Sequence, residues 1–136
     1  MSASTRRRLV LLVEDDDSFR QMIVKLLTRA GLAVKQARNG LDGLRLFRDT
    51  RPDLVITDIV MPDGEGIGLI RAIRAENTDC PILAMCGAAH HQLYLRGARA
   101  LGADKTITKP FRIAEMLDMV NSLLGVTGQA GGVPQS

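Results

Sequence analysis

Acidic side chains and one lysine follow the hydrophobic runs of this sequence, at positions where they could act together. The run LVLLV leads into four consecutive acids, DLVIT leads into Asp58, and KTIT leads into Lys109. Carboxylates that lie close together repel one another, and they stay ionised only when a cation or hydrogen-bond donors compensate them. Carboxylate oxygens without soft ligands alongside suit Mg²⁺ or Mn²⁺. Beside such a metal, an aspartate can be the nucleophile of phosphoryl transfer while a lysine stabilises the transferred group.

The alternation of short apolar runs with amphipathic stretches predicts five strands and five helices. We expect the strands at residues 8–13, 32–37, 53–57, 81–85 and 105–108, with the more polar second strand nearer an edge. This order predicts an α/β fold, a doubly wound parallel sheet with helices on both faces and right-handed crossovers. Ligands of such sheets bind beyond the carboxyl ends of the strands. The acids after the first and third strands should therefore converge there with Lys109.

Helix-start and helix-end signals divide the four consecutive acids into two groups. Asp16 and Asp17 are expected to cap or begin the first helix, because acids are favourable at a helix N-terminus. Asn39 is expected to cap the second helix, and Gly31 is expected just after the end of the first. Glu14 and Asp15 are left as the candidate metal ligands.

Composition favours one soluble cytoplasmic domain. The chain has 136 residues, 46% of them hydrophobic and 3% aromatic, so one core built from aliphatic side chains is expected. A net charge of +3 is too small to indicate direct nucleic-acid binding, and no apolar run is long enough for a membrane span. Two cysteines without a secretory signal indicate a reducing compartment and are too few ligands for a zinc site. We expect a flexible arm at residues 1–7, a domain at residues 8–124, and a flexible tail or linker at residues 125–136.

Four segments, in this order, resemble one known family. LLVEDD, PDLVITDIVMPDGEG, PILAMCGA and GADKTITKPF are similar to the receiver domain of two-component response regulators, over residues 8–124. Each segment is unspecific alone, but four in order at strand ends are a specific signal. Chemotaxis receivers have a flavodoxin-like sheet with the strand order 2-1-3-4-5. The resemblance therefore implies this order here.

The resemblance also implies roles for the acids. Asp58 would accept a phosphoryl group from a histidine kinase or a phosphotransfer protein. Asp15 would bind Mg²⁺ directly, Glu14 would bind it directly or through water, and the backbone carbonyl of Val60 would be a further ligand. The domain would be a signalling module that catalyses only its own phosphorylation and dephosphorylation. Its output would pass to another protein through the face of helix 4, strand 5 and helix 5.

Residues around the lysine and the loop after Asp58 are also implied. Lys109 would pair with the acids in the resting site and with a phosphoryl oxygen after transfer. Pro110 would follow a cis peptide bond. Pro62 and either Gly64 or Gly66 would shape the loop after the phosphoacceptor.

Two positions depart from the family pattern, and both belong to its switch. Cys86 stands where the family has a Thr or Ser hydroxyl, and a thiol is a weaker donor on a longer bond. Thr106 stands where the family has a rotating aromatic ring. Packing as a small buried side chain is the simplest role for Cys86, and His90 and His91 are expected at the exposed start of a helix.

The departures keep a second function open, a receiver that binds proteins without phosphorylation. The intact set of acids and lysine argues against it. A phosphotransferase or phosphatase on the same fold would need an extra general base or a substrate pocket, neither of which the sequence indicates. A flavin or dinucleotide binder is disfavoured because no glycine-rich loop follows the first strand.

Overall fold

The hydrophobic runs of the sequence form a parallel sheet covered by helices on both faces. The computed structural model describes residues 7–62, 65–76, 78–87 and 91–125. In this part of the chain the strands are β1 (Leu9–Val13), β2 (Ala33–Ala37), β3 (Leu54–Asp58), β4 (Ile82–Gly87) and β5 (Lys105–Lys109). The helices are α1 (Asp17–Arg29), α2 (Gly40–Thr50), α3 (Glu65–Ala75), α4 (His91–Leu101) and α5 (Ile113–Leu124). The strands are parallel in the order β2-β1-β3-β4-β5, so the predicted fold class and strand order are confirmed.

Two hydrophobic cores lie on opposite faces of the sheet. Side chains of α1 and α5, including Ile23 and Val120, pack against one face. Side chains of α2, α3 and α4, including Phe47 and Ile70, pack against the other. The central strands β1, β3 and β4 are therefore covered on both sides, which explains why their sequences are continuously apolar rather than alternating. Strand β2 lies at an edge, as its polar sequence predicted, with Lys35 and Gln36 exposed.

The predicted helix signals are confirmed at α1 and α2. The Asp16 carboxylate accepts a hydrogen bond from the Phe19 backbone N–H at 2.9 Å, so it caps α1, and Asp17 is the first helical residue. Asn39 caps α2 in the same way. Gly31 follows the end of α1 with φ +93°, a left-handed conformation that favours glycine.

The ends of two strands differ from the sequence prediction. Cys86 lies inside β4 and Lys109 inside β5, although both were predicted to follow their strands. The reason is backbone pairing, because the ladder between these strands continues through Cys86 opposite Thr108 and Gly87 opposite Lys109. A prediction from apolar residues therefore places the end of each strand too early, because the last paired positions of β4 and β5 continue past the apolar run.

Several sequence predictions concern chain segments that the structure does not describe or covers only in small part. The predicted arm at residues 1–7 is described only at Arg7, and the predicted tail at residues 125–136 only at Gly125. Gly64 and His90 also lie outside the described residues, whereas α4 begins at His91 as expected. Among the described helices, none has the length and apolar character needed to cross a bilayer.

Candidate functional site

Three elements bring a lysine and two acids to one point at the carboxyl edge of the sheet. Glu14 directly follows β1, Asp58 ends β3 and Lys109 ends β5. The Lys109 Nζ atom donates to Glu14 Oε1 at 2.8 Å and to Asp58 Oδ2 at 3.3 Å. Glu14 and Asp58 thus share the ammonium group of Lys109, although they lie 95 and 51 positions before it in the sequence. The predicted convergence at this edge is what the parallel topology produces.

Asp15 completes a cluster of three carboxylates. Glu14, Asp15 and Asp58 each offer an oxygen, and these oxygens lie within 4.8 Å of one another. Glu14 and Asp58 are buried, whereas Asp15 is exposed. Oxygen ligands with one open side fit Mg²⁺, which keeps several waters and binds proteins through few carboxylates. The donor set contains no soft ligand, since the buried Cys86 is not among the three.

Burial sets the charge balance of this cluster. Burial raises the pKa of Glu14, and the hydrogen bonds from Lys109 and from the Asp16 backbone N–H lower it only in part. Burial likewise raises the pKa of Asp58 against the attraction of Lys109. Burial alone would lower the pKa of Lys109, but its hydrogen bond to Glu14 and the charge of Asp58 outweigh burial and raise that pKa. The lysine therefore stays charged, whereas burial disfavours the ionised forms of Glu14 and Asp58.

Backbone contacts hold Glu14 in position from several sides. Its N–H donates to the Ala37 carbonyl at 3.0 Å, and its side chain accepts from the Asp16 N–H at 3.0 Å. Its carbonyl accepts from Arg20 Nη1 at 3.0 Å. Arg20 is nearly buried and also bonds Gln36 at 2.8 Å, so it joins the site to β2.

Sequence reasoning missed Arg20. The available signal was its place on the apolar face of α1, three residues before Ile23 and seven before Leu27, both of which are buried. A charged residue on such a face requires partners, and here they are the Asp17 carboxylate at 2.7 Å, the Glu14 carbonyl and the edge strand.

The loop after Asp58 is shaped by a close backbone approach. Burial raises the pKa of Asp58, and the Val60 backbone opposes this rise in part, while the Val60 side chain is 41% exposed. The predicted ligand role of the Val60 carbonyl stays a prediction. A Cβ atom at Gly66 would lie 2.1 Å from the Asp58 carbonyl oxygen and 2.6 Å from the Ile59 carbonyl oxygen. Glycine is therefore required at position 66, where α3 starts beside the Asp58 and Ile59 carbonyls. Pro62 lies at the exposed surface of this loop.

Cys86 lies near Asp58 and Lys109, but its thiol is a weak donor. Cys86 is fully buried, and its thiol donates to the adjacent Gly87 carbonyl at 3.4 Å. Burial raises the pKa of this thiol, and the charge of Asp58 adds to the effect, so the thiol stays neutral. Neutrality and burial fit the expected packing role and disfavour redox reactivity. Thr106 is half-buried on β5 opposite Ala84.

The remaining cysteine and the proline after the lysine also have clear environments. Cys80 is half-buried and unpaired, its thiol donates to the Pro52 carbonyl at 3.4 Å, and burial raises its pKa to about 11. This thiol is protonated at neutral pH. The peptide bond between Lys109 and Pro110 is cis, as the resemblance implied.

The comparison with known families identifies this arrangement. Residues 10–121 match the family model of the response regulator receiver domain. This chain belongs to that family. The receiver domain is thereby a signalling module of two-component systems, as the resemblance implied.

Individual relatives and solved structures agree with the family. The receiver is 39% identical to the transcriptional regulatory protein CseB of Streptomyces coelicolor over 90% of this chain and 52% of that protein. It is 38% identical to the transcriptional regulatory protein CusR of Escherichia coli over 85% of this chain and 50% of that protein. The chain thus spans about half the length of these curated relatives.

Solved structures have the same fold over nearly their whole length. The chemotaxis protein CheY4 of Vibrio cholerae is 28% identical, with a TM-score of 0.80 over 87% of this chain and 99% of that one. The receiver domain of the Francisella response regulator 1452 is also 28% identical, with a TM-score of 0.79 over 88% of this chain and 98% of that one.

Proposed function

We propose that this receiver is a phosphoacceptor. Asp58 takes a phosphoryl group from a sensor histidine kinase or a phosphotransfer protein, and the modification switches a protein-binding face. The observation that carries the proposal is the shared contact of Lys109 Nζ with Glu14 and Asp58, at 2.8 and 3.3 Å. It brings a nucleophile, a fixed positive charge and a candidate metal ligand to one point at the sheet edge, where ligands of this fold bind.

Few side chains take part in the proposed phosphoryl transfer. One carboxylate oxygen of Asp58 attacks the phosphorus of the donor's phosphohistidine, an O–P bond forms and the P–N bond breaks. The leaving nitrogen keeps the electron pair and takes a proton from water. Lys109 moves from the Asp58 carboxylate to an oxygen of the transferred group.

A divalent ion would be held by the acidic cluster. Glu14, Asp15 and Asp58 would be its side-chain ligands and the Val60 carbonyl a further one, with Mg²⁺ preferred and Mn²⁺ also suited to oxygen ligands. When bound, the ion neutralises charge on the phosphoryl oxygens. Asp15 is exposed, so the cluster stays open to water and to a phosphodonor on that side.

We further propose a protein as the output partner, bound at the face of α4, β5 and α5. The relatives are named transcriptional regulatory proteins and are about twice as long as the matched segment. A role in transcription is therefore proposed for a protein that carries this receiver. The expectation of no direct nucleic-acid contact concerns the given chain and not such a longer protein, and both it and the cytoplasmic location stay predictions.

A mass measurement tests the phosphoacceptor role. The full chain is incubated with Mg²⁺ and acetyl phosphate, and its intact mass is measured beside Asp58→Asn and beside Asp118→Asn, an exposed acid on α5. The wild type and Asp118→Asn should gain one phosphoryl group, and Asp58→Asn should gain none. EDTA should abolish the adduct. An adduct on Asp58→Asn would contradict the assignment of Asp58, and no adduct on the wild type would contradict the proposal and favour phosphorylation-independent binding.

A further inference from the structure

A phenylalanine ring touches the lysine of the site. Lys109 Nζ lies 4.5 Å from the centroid of the Phe19 ring, within the distance at which a cation is attracted to an aromatic face. Phe19 belongs to the first turn of α1, and its backbone N–H donates to the capping carboxylate of Asp16. The position of the ring therefore depends on the same acidic segment that supplies the candidate metal ligands.

A second phenylalanine fixes the orientation of that ring. Phe111, two residues after Lys109, meets Phe19 edge to face, with centroids 5.7 Å apart and ring planes at 66°. This geometry is a preferred one for aromatic pairs. The chain has only three phenylalanines, and two of them meet beside Lys109. The core on this face of the sheet is otherwise aliphatic. The pairing of two rings beside Lys109 therefore indicates a role other than filling space.

The ring completes the environment of the ammonium group. Glu14 and Asp58 accept two of its three N–H bonds, and the Phe19 face lies on a further side. An aromatic face attracts the charge and also excludes water. It imposes no fixed hydrogen-bond direction, so the ammonium can shift between oxygens without losing the contact.

We infer that Phe19 is a positioning residue for phosphoryl transfer, which holds the Lys109 ammonium at the acceptor before transfer and lets it move onto a phosphoryl oxygen. The inference rests on the proposed phosphoacceptor function. Phe19 acts through its contact with the Lys109 ammonium.

Matched substitutions test this role by rate and by spectrum. Phe19→Leu and Phe19→Met keep an apolar side chain but remove the ring, Phe19→Tyr keeps the ring, and Phe47→Leu makes the same change in the opposite core. We expect phosphorylation by acetyl phosphate with Mg²⁺ to slow about five-fold in the Leu and Met variants, equivalent to about 1 kcal/mol. The Tyr variant and Phe47→Leu should keep the wild-type rate. The ring-current shift of the Lys109 ε-methylene NMR signal should decrease in the Leu and Met variants and persist in the Tyr variant.

Two results would overturn the inference while the phosphoacceptor function stands. One is an unchanged rate in both Phe19→Leu and Phe19→Met with a normal wild-type adduct. The other is an equal loss in Phe19→Tyr, which would show that packing rather than the aromatic face is needed. A wild type and a Phe47→Leu variant that both fail to form the adduct would instead contradict the proposed function, and this inference with it.

Discussion

Replacing the acceptor Asp58 by asparagine should stabilise the resting fold at neutral pH. At an effective dielectric of about 20, the Lys109 contact at 3.3 Å attracts Asp58 by about 5 kcal/mol. Glu14, whose oxygen lies within 4.8 Å, repels it by about 3.5 kcal/mol, and the exposed Asp15 adds about 1 kcal/mol at the dielectric of water. Attraction and repulsion nearly cancel. The cost of burying the charge therefore decides whether the substitution raises or lowers the free energy of unfolding. We expect Asp58→Asn to gain about 1–3 kcal/mol.

The gain should depend on pH in a defined direction. The pKa of folded Asp58 is raised above its ordinary value of 3.8, chiefly by burial, so the folded state holds the proton more tightly than the unfolded chain does. The wild type therefore loses stability as pH rises from 3.8 through the folded pKa, and the uncharged asparagine does not. The advantage of Asp58→Asn should be larger at about pH 7 than at about pH 4.

Urea denaturation in EDTA at both pH values measures this difference. A gain of about 2 kcal/mol moves the midpoint by roughly 1 M urea. Asp118→Asn, at an exposed site on α5, is the control and should show little change. Mg²⁺ at ten times its dissociation constant should stabilise the wild type by about 1.4 kcal/mol and reduce the difference. A less stable Asp58→Asn, or a gain that is the same at both pH values, would refute the dominance of burial.

Substitutions at three further positions, two of them with control variants, test the surroundings of the site. Gly66→Ala should cost about 3 kcal/mol by denaturation because its Cβ would clash with the Asp58 carbonyl, whereas Gly68→Ala, with nothing within 4 Å, should be neutral or stabilising. Asp16→Ala should cost about 1 kcal/mol through the lost cap of α1, and Asp16→Ser should restore most of it. Cys86→Thr should lengthen the phosphoryl adduct's lifetime about five-fold, since a hydroxyl is a stronger donor than a thiol. An unchanged lifetime would contradict the importance given to that departure.

The fold was predictable because its signals are local and repeated. The apolar runs, the capping acids such as Asp16 and the glycine after α1 each reflect the backbone around a few residues. The site was predictable to the extent that it follows from topology, because parallel strands bring their carboxyl ends to one edge. Asp58 and Lys109 therefore met as expected. The strand ends were misplaced because pairing between β4 and β5 is set by a partner distant in sequence.

The sequence by itself determined the order of the elements, the parallel sheet and the acids and lysine gathered at its carboxyl edge. Only the tertiary structure decided how deeply those side chains are buried and which groups they contact. It buried Glu14 and Asp58 but left Asp15 exposed, anchored Glu14 through Arg20, and laid the Phe19 ring against Lys109. The physical reason is that pattern and spacing predict which side chains meet, whereas burial and contact geometry depend on all the elements packed around them. The charge of a carboxylate or an ammonium group responds to those surroundings rather than to its neighbours in sequence.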